Sequence, residues 1–117
     1  MKISHPQMVK KLTKSPKLIL ESLSPHKVHL LHMASKLCSE AGEIMDAIGK
    51  HIYYEKDLDL ENILEELGDI EYYLEGLRQG VKISRDSALK HNIKKLSIRY
   101  KGFKYSNKAA IKRADKQ

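Results

Sequence analysis

Four carboxylate side chains, arranged in two pairs, are the residues of this chain best suited to chemistry. Glu40 and Glu43 form one pair, and Glu66 and Asp69 form the other. Each pair has the spacing i, i+3, so both side chains leave the same face of a helix. If two such helices lie antiparallel, the four acids converge, and a hard cation such as Mg²⁺ relieves their mutual repulsion. A magnesium site with open positions indicates phosphate chemistry.

Three long helices that position these residues are predicted from apolar residues at i, i+3, i+4 and i+7. They run from about Ser24 or His29 to Ile52, from a cap at Asp59 to a stop at Gly80, and from a cap at Ser84 to about Tyr100. Shorter helical stretches are expected around Met8–Leu12, Leu18–Leu20 and Ala109–Ala114. Because no stretch alternates with period two, we predict an all-α fold, an antiparallel helical bundle of about four to five helices.

A glycine lies inside each carboxylate pair, at Gly42 and Gly68. Glycine within a helix costs about 0.5–1 kcal/mol relative to alanine, so two matching glycines indicate room for a neighbouring backbone or for a ligand. A single E-x-x-E favours ordinary solvated acids. Two matched pairs on adjacent helices favour a metal site instead. A di-iron bundle requires Glu-x-x-His, which neither pair provides.

The length indicates one domain spanning residues 1–117. A domain of this size has a modest hydrophobic core, so additional burial against a second subunit would be unsurprising. No apolar run approaches the roughly 18 residues of a membrane span, and we expect no membrane association. The one cysteine, Cys38, lies on an apolar helical stripe and is expected to be buried. Because the chain has a single cysteine, it cannot form an internal disulfide, and this composition suits a reducing cytoplasm. Zinc held by His29 and His32 is disfavoured, because no third ligand has useful spacing.

Charge is strongly segregated along the chain. Residues 1–30 carry six basic residues and one acidic residue. Residues 31–80 carry four basic and twelve acidic residues, and residues 81–117 carry twelve basic and two acidic residues. An acidic middle between basic ends would place a cation site beside anion-binding groups, which suits a nucleotide bound to Mg²⁺. The alternative is that the basic ends are solvated surface or a footprint for nucleic acid.

Two segments that contain the carboxylate pairs resemble the MazG-like all-α nucleoside triphosphate pyrophosphohydrolases. Their signature, E-E-x-x-E followed after a variable gap by E-x-x-D, is similar to Ser39–Ala47 and Glu65–Ile70. Asn92–Tyr100 is similar to the N-x-x-K-L-x-x-R-Y segment of many small members. Ser39 replaces the first Glu of the doublet, which puts a fifth carboxylate in doubt.

The resemblance covers about residues 29–103, including the turn at Gly102-Phe103, and leaves a basic tail over 104–117. It implies hydrolysis of a (deoxy)nucleoside triphosphate to nucleoside monophosphate and pyrophosphate, for house-cleaning or control of nucleotide pools. Phosphoribosyl-ATP is the substrate of related helical enzymes, and nothing in this chain favours it.

Site roles follow from the same resemblance. Mg²⁺, for which Mn²⁺ is a substitute, would be held by Glu40, Glu43, Glu66 and Asp69. Glu40 and Glu43 are the catalytic candidates, and the residues do not decide which glutamate activates water.

Basic and polar residues on two helices are the nucleotide-binding candidates. Lys95 and Arg99 share a helical face at i, i+4 and are placed to clamp phosphate oxygens, with Asn92 one turn earlier. Lys50 and Tyr54, near the end of the first long helix, would approach the nucleotide. The alternative for each of these residues is plain solvated surface.

The expected partners follow from the enzyme interpretation. We expect a nucleoside triphosphate substrate and a homodimer or homotetramer in the cytoplasm of a bacterium, or of the host if a phage encodes the chain. Nucleic acid is not expected. The competing hypothesis is a non-enzymatic helical module that binds nucleic acid through its basic C-terminal segment, residues 81–117.

Overall fold

A computed structural model describes residues 2–117, and every regular element in that range is helical. The elements are α1 (His5–Leu12), α2 (Pro16–Ser22), α3 (Pro25–Tyr53), α4 (Leu60–Val81), α5 (Arg85–Arg99) and α6 (Asn107–Lys112), with 3₁₀ turns at Lys101–Phe103 and Ala114–Lys116. The predicted all-α class is confirmed. The helices expected around the short apolar stretches are present. The first two are longer than expected, and the third, α6, has the expected length but begins and ends two residues earlier.

The three long helices begin at the residues that capping chemistry predicts. Ser24, Asp59 and Ser84 each accept a backbone N–H from three residues further on, at 3.2, 3.1 and 3.1 Å. These bonds satisfy amides that the first helical turn leaves free. The bounds of α3 and α4 therefore follow largely from local interactions.

The predicted end of α4 at Gly80 is wrong. The helix continues to Val81, and Lys82 ends it in the left-handed conformation at φ 57°. Gly80 has a packing role instead, because an added Cβ there would lie 2.8 Å from Leu30 Cδ2.

Antiparallel packing of α3 against α4 is the main tertiary contact of the protomer. Two histidines on α3 fix the register: His26 Nε2 donates to the Gly80 carbonyl at 2.7 Å, and His29 Nε2 donates to the Gly76 carbonyl at 2.8 Å. A Cβ at Gly76 would clash with the Met33 side chain. The helices can therefore approach closely at this end because α4 carries glycine there.

Replacing Gly76 with alanine is expected to destabilise the fold. Met33 is one of two buried apolar side chains among residues 2–117, and it would have to move, at a cost of about 1–3 kcal/mol in the free energy of unfolding. Gly68→Ala is the matched control, since its Cβ meets nothing within 4 Å and alanine favours helix. Urea unfolding of both variants gives the comparison. A Gly76→Ala protein as stable as wild type would contradict this account of the helix contact.

One protomer leaves much apolar surface uncovered. Its accessible surface is 10,100 Å², whereas a compact monomer of this mass exposes about 6,500 Å². Its radius of gyration is 20.3 Å, against about 13 Å for a compact chain of this length. Helix α5 packs mainly on the C-terminal elements rather than on the α3–α4 pair. Within one protomer only that pair is packed as expected, and the wider bundle stays a prediction.

Two further observations concern the surface. Cys38 is exposed, so the expectation that it is buried is wrong for the protomer. An apolar stripe read along one helix does not say whether another element of the same chain covers it. Within residues 2–117, none of the helices combines the length and apolar character that a membrane crossing requires.

Candidate metal centre

Three of the four predicted carboxylates converge where α3 and α4 face each other. Glu40 and Glu43 come from α3 and Glu66 comes from α4, and one oxygen of each lies within 4.8 Å of the others. The antiparallel register that the histidine contacts set brings Glu66 opposite the first pair. The structure thus confirms that acids from the two helices meet.

Burial distinguishes the members of this carboxylate cluster. Glu66 is only 4% exposed and Glu40 only 7%, whereas Glu43 is open to solvent. Glu66 Oε2 is buried and has no hydrogen-bond partner among the described residues. The cation seen beside the cluster is Lys36, whose Nζ lies 3.8 Å from Glu40 Oε1. A buried carboxylate without a partner is costly, so this position calls for a proton or a cation.

The pKa of Glu66 shows how the metal-free cluster meets that requirement. The pKa of Glu66 is raised to about 8 by hydrogen bonding to Glu40 and then to Glu43, by burial, and by repulsion from the same two carboxylates. At neutral pH a proton is therefore held between the acids. An all-oxygen donor set of this kind fits Mg²⁺ or Mn²⁺, either of which can take the place of that proton.

The fourth predicted ligand, Asp69, lies outside the cluster and is exposed. It follows Glu66 by three residues on α4, so its side chain borders the same face. The spacing alone does not exclude it, since Glu40 and Glu43 have the same spacing and both join the cluster. Helix α4 faces α3 through the buried Glu66, and this orientation leaves Asp69 at the exposed border. Its role as a ligand stays a prediction.

The glycines inside the two pairs do not support close helix packing in the protomer. A Cβ at Gly42 or Gly68 would meet nothing within 4 Å, so the expected neighbouring backbone is not there. Gly42 instead lines a surface hollow of about 390 Å³, and Lys50 and Tyr54 line it too. Room for a ligand, the other interpretation of these glycines, remains consistent with this position next to Glu43.

Lys50 and Tyr54 are thus brought to one surface, close in sequence to the cluster. Lys50 Nζ lies 2.9 Å from Asp46 Oδ2, and this hydrogen bond, with the charge of Asp46, raises the pKa of Lys50. Tyr54 caps α3 and is 71% exposed. Both side chains are accessible to a ligand in the hollow.

The predicted phosphate-binding residues of α5 have different surroundings. Arg99 Nε and Nη2 donate to Asp115 Oδ1 and Oδ2 at 2.7 and 3.1 Å. This pairing raises the pKa of Arg99 and lowers that of Asp115. Lys95 lines a separate cavity on α5, and Asn92 is exposed. Because α5 packs mainly on the C-terminal elements, one protomer does not bring these residues onto the cluster.

Sequence reasoning missed Asp115. It is the one acidic residue between 87 and 117, in a stretch rich in lysine and arginine. That isolation was the available signal, because a lone acid among cations is expected to pair with one of them. The residue lies 16 positions after Arg99, so the spacing did not identify the partner.

Comparisons of the chain with protein-family models, with curated proteins and with solved structures found no match. The resemblance to MazG-like enzymes therefore stays a prediction from short motifs.

Proposed function

We propose that the chain is a Mg²⁺-dependent hydrolase that converts (deoxy)nucleoside triphosphates to nucleoside monophosphates and pyrophosphate. The observation that carries this proposal is the Glu66 carboxylate, buried and partly unpartnered against Glu40 and Glu43. A fold keeps such a group where a cation offsets the cost of burial. The motif resemblance supplies the substrate class, with a role in house-cleaning or pool control.

Glu40, Glu43 and Glu66 are the residues that would hold the metal, and Asp69 would join them as a fourth ligand. When bound, Mg²⁺ neutralises charge on the triphosphate and orients it. Mn²⁺ has compatible chemistry and would substitute.

Glu43 is the member of the cluster best placed to accept a proton from the attacking water. It is exposed, whereas Glu40 is buried and lies beside Lys36. As Glu43 takes the proton, the water oxygen bonds to phosphorus at the α–β anhydride. The bond from that phosphorus to the α–β bridging oxygen breaks, and its electron pair leaves on the bridging oxygen, which departs with pyrophosphate if the α phosphorus is attacked and with the nucleoside monophosphate if the β phosphorus is attacked. Glu40 remains the alternative base.

The nucleoside would occupy the hollow that Gly42, Lys50 and Tyr54 line. It adjoins Glu43 along α3, and its volume of about 390 Å³ falls within the range of small-molecule sites. Lys50 would contact phosphate or sugar oxygens, and the exposed ring of Tyr54 would stack on the base.

Asn92, Lys95 and Arg99 would complete the site from a second subunit. In one protomer α5 packs mainly on its own C-terminal elements, so these residues reach a cluster most simply across an interface. Arg99 would have to leave Asp115 in order to bind phosphate, which makes Lys95 the better candidate.

A homodimer or homotetramer in the cytoplasm is part of the proposal. The accessible surface beyond that of a compact monomer amounts to about 3,600 Å², comparable to what obligate interfaces bury. We therefore expect light scattering to give at least twice the 13.4 kDa mass of one chain at micromolar concentration. A strict monomer that is fully folded would contradict the oligomer.

A nucleotide panel tests the activity itself. Pyrophosphate release is expected from at least one NTP or dNTP when Mg²⁺ is present, and none is expected when EDTA removes the metal. Release of orthophosphate alone would contradict cleavage between the α and β phosphates. No release from any nucleotide would contradict the proposed activity, and turnover of phosphoribosyl-ATP alone would reassign the substrate.

A further inference from the structure

The C-terminal segment forms a basic cavity in which Arg99 is the one lining residue that is also a candidate for the hydrolase. It has a volume of about 370 Å³ and lies between the end of α5, the turn Lys101–Phe103 and α6. Four lysines line it: Lys101, Lys104, Lys108 and Lys112. Such a density of like charge at one cavity indicates an anionic ligand.

No acid in the described part of the chain neutralises these lysines. The acids of residues 81–117 are Asp86 and Asp115, and both have other partners. Asp86 pairs with Lys90 at 2.9 Å and Asp115 pairs with Arg99 at 2.7 Å. Among residues 2–117, none of the four cavity lysines takes part in an ion pair. The positive charge of the cavity is therefore uncompensated.

The Arg99–Asp115 pair holds this cavity in shape before any ligand arrives. Two parallel hydrogen bonds join the side chains, and that of Asp115 is 2% exposed. Bidentate pairs of this kind are among the stronger polar contacts, and this one fastens the C-terminal turn to α5. The lysines are consequently displayed on a fixed scaffold.

Aromatic rings alternate with the lysines along the same segment. Phe103 is 68% exposed and Tyr105 is 72% exposed. The Tyr105 ring lies 5.6 Å from the Tyr100 ring, and its hydroxyl donates to Asn107 Oδ1 at 2.7 Å. Phe103 has φ 53°, an unfavourable conformation for a bulky residue. An oriented, exposed aromatic ring beside unpaired lysines is the combination that binds unstacked bases and the phosphates between them.

A second cavity extends the basic surface. It has a volume of about 210 Å³ and shares Ile98 with the first cavity. Its other lining residues are His91, Lys94, Lys95 and Lys116, together with Asp115, whose charge is paired with Arg99. Adjoining basic cavities offer positions for several phosphates in succession. This extent favours a polymer over a single nucleotide.

We infer that residues 91–116 bind single-stranded nucleic acid at these two cavities, with lysines contacting the backbone and Tyr105 stacking on a base. The site contains none of the clustered carboxylates, and it shares only Lys95 and Arg99 with the proposed hydrolase site. Binding of a single strand does not require that these two residues act in hydrolysis. It departs from the expectation that nucleic acid is not a partner. That expectation followed from the enzyme interpretation and from the lack of a helix-turn-helix or RNA-binding aromatic signature. The resemblance behind the enzyme interpretation ends at about residue 103, before most of the lysines of the first cavity.

The test is fluorescence anisotropy with labelled single-stranded DNA, single-stranded RNA and duplex DNA, each of about 20 nucleotides, titrated with the full chain. Binding of either single strand is expected to weaken steeply between about 50 and 200 mM salt. The DNA and RNA arms identify which polymer binds more tightly. No binding of either single strand at 50 mM salt, or equally tight binding of the duplex, would overturn the inference.

Charge variants locate the site. Combining Lys104→Gln, Lys108→Gln and Lys112→Gln is expected to reduce the salt slope by about two units, since each phosphate contact in a single strand contributes about 0.7. The matched control combines Lys10→Gln, Lys11→Gln and Lys14→Gln, which removes the same charge around α1. Equal weakening by the two triple variants would show attraction to net charge only and would overturn the site.

Two substitutions at Tyr105 test whether its ring stacks on a base. Tyr105→Leu is expected to weaken binding roughly tenfold at fixed salt without changing the salt slope, whereas Tyr105→Phe should retain most of the affinity. Circular dichroism checks that both variants keep their helix content. Full affinity in Tyr105→Leu would overturn the stacking role.

Discussion

Glu43→Gln is expected to lower the rate of pyrophosphate release by about 10²–10⁴-fold, the range that positioned acid–base groups contribute. Glu43 is the exposed carboxylate of the cluster and the one proposed to take a proton from water. A glutamine of nearly the same shape cannot accept that proton and is a poorer metal ligand. The measurement is the rate of pyrophosphate release at saturating nucleotide and Mg²⁺.

Glu71→Gln is the matched control for this prediction. Glu71 lies on α4, is exposed and forms no ion pair within residues 2–117. The substitution makes the same change of charge outside the cluster, so turnover should stay close to that of wild type. Full activity in Glu43→Gln, with helix content unchanged, would contradict the assignment of the cluster.

Mg²⁺ binding is expected to weaken about tenfold for each pH unit below 8, because the metal must displace the proton held at Glu66. At pH 7 a group with a pKa of about 8 is about nine-tenths protonated, so binding should release about 0.9 proton per site. Calorimetry in two buffers of different ionisation enthalpy measures both quantities. An affinity independent of pH between 6 and 8, with no proton release, would contradict the coupling.

The same raised pKa fixes how the stability of the metal-free protein depends on pH. The ordinary pKa of a glutamate is 4.5, and that of Glu66 in the fold is about 8. Between these values the folded state holds a proton that the unfolded state has lost, so this contribution to stability decreases as pH rises. It is fully present below pH 4.5 and lost above 8. Glu66→Gln should remove this part of the decline.

The starts of the long helices could be predicted because the evidence for them is local. Ser24, Asp59 and Ser84 each cap the amide three residues ahead, whatever the rest of the chain does. The end of α4 was less predictable. Glycine is the residue type most typical of a helix end, which is why Gly80 was predicted to end α4. Gly80 instead lies inside the helix, where it allows close contact with α3, and Lys82 takes the left-handed position that ends the helix.

The carboxylate cluster could be predicted only in part. Spacing placed Glu40 and Glu43 on one face of α3, and antiparallel packing brought Glu66 to them. The burial of Glu66 and the exposure of Asp69 depend on how α4 is rotated about its own axis. That rotation follows from contacts such as Gly76 against Met33, which no spacing within one helix reveals.

Features that depend on contacts between residues far apart in the sequence could not be predicted from it. The Arg99–Asp115 pair joins α5 to the last turn of the chain and gives the basic tail a defined shape. The exposure of Cys38 has a similar cause, since no other element among residues 2–117 covers its side chain. Apolar periodicity shows that a face needs covering, and it does not identify what covers it.

The most direct test of the central claim is a crystal structure of the protein with Mn²⁺ in the crystallisation solution. Diffraction data are collected at a wavelength where manganese scatters anomalously, so that an anomalous difference map locates the ion. The account predicts an anomalous peak at the three clustered carboxylates, with oxygens of Glu40, Glu43 and Glu66 about 2.2 Å from it. A well-ordered crystal at neutral pH with millimolar Mn²⁺ and no peak at these three residues would contradict it.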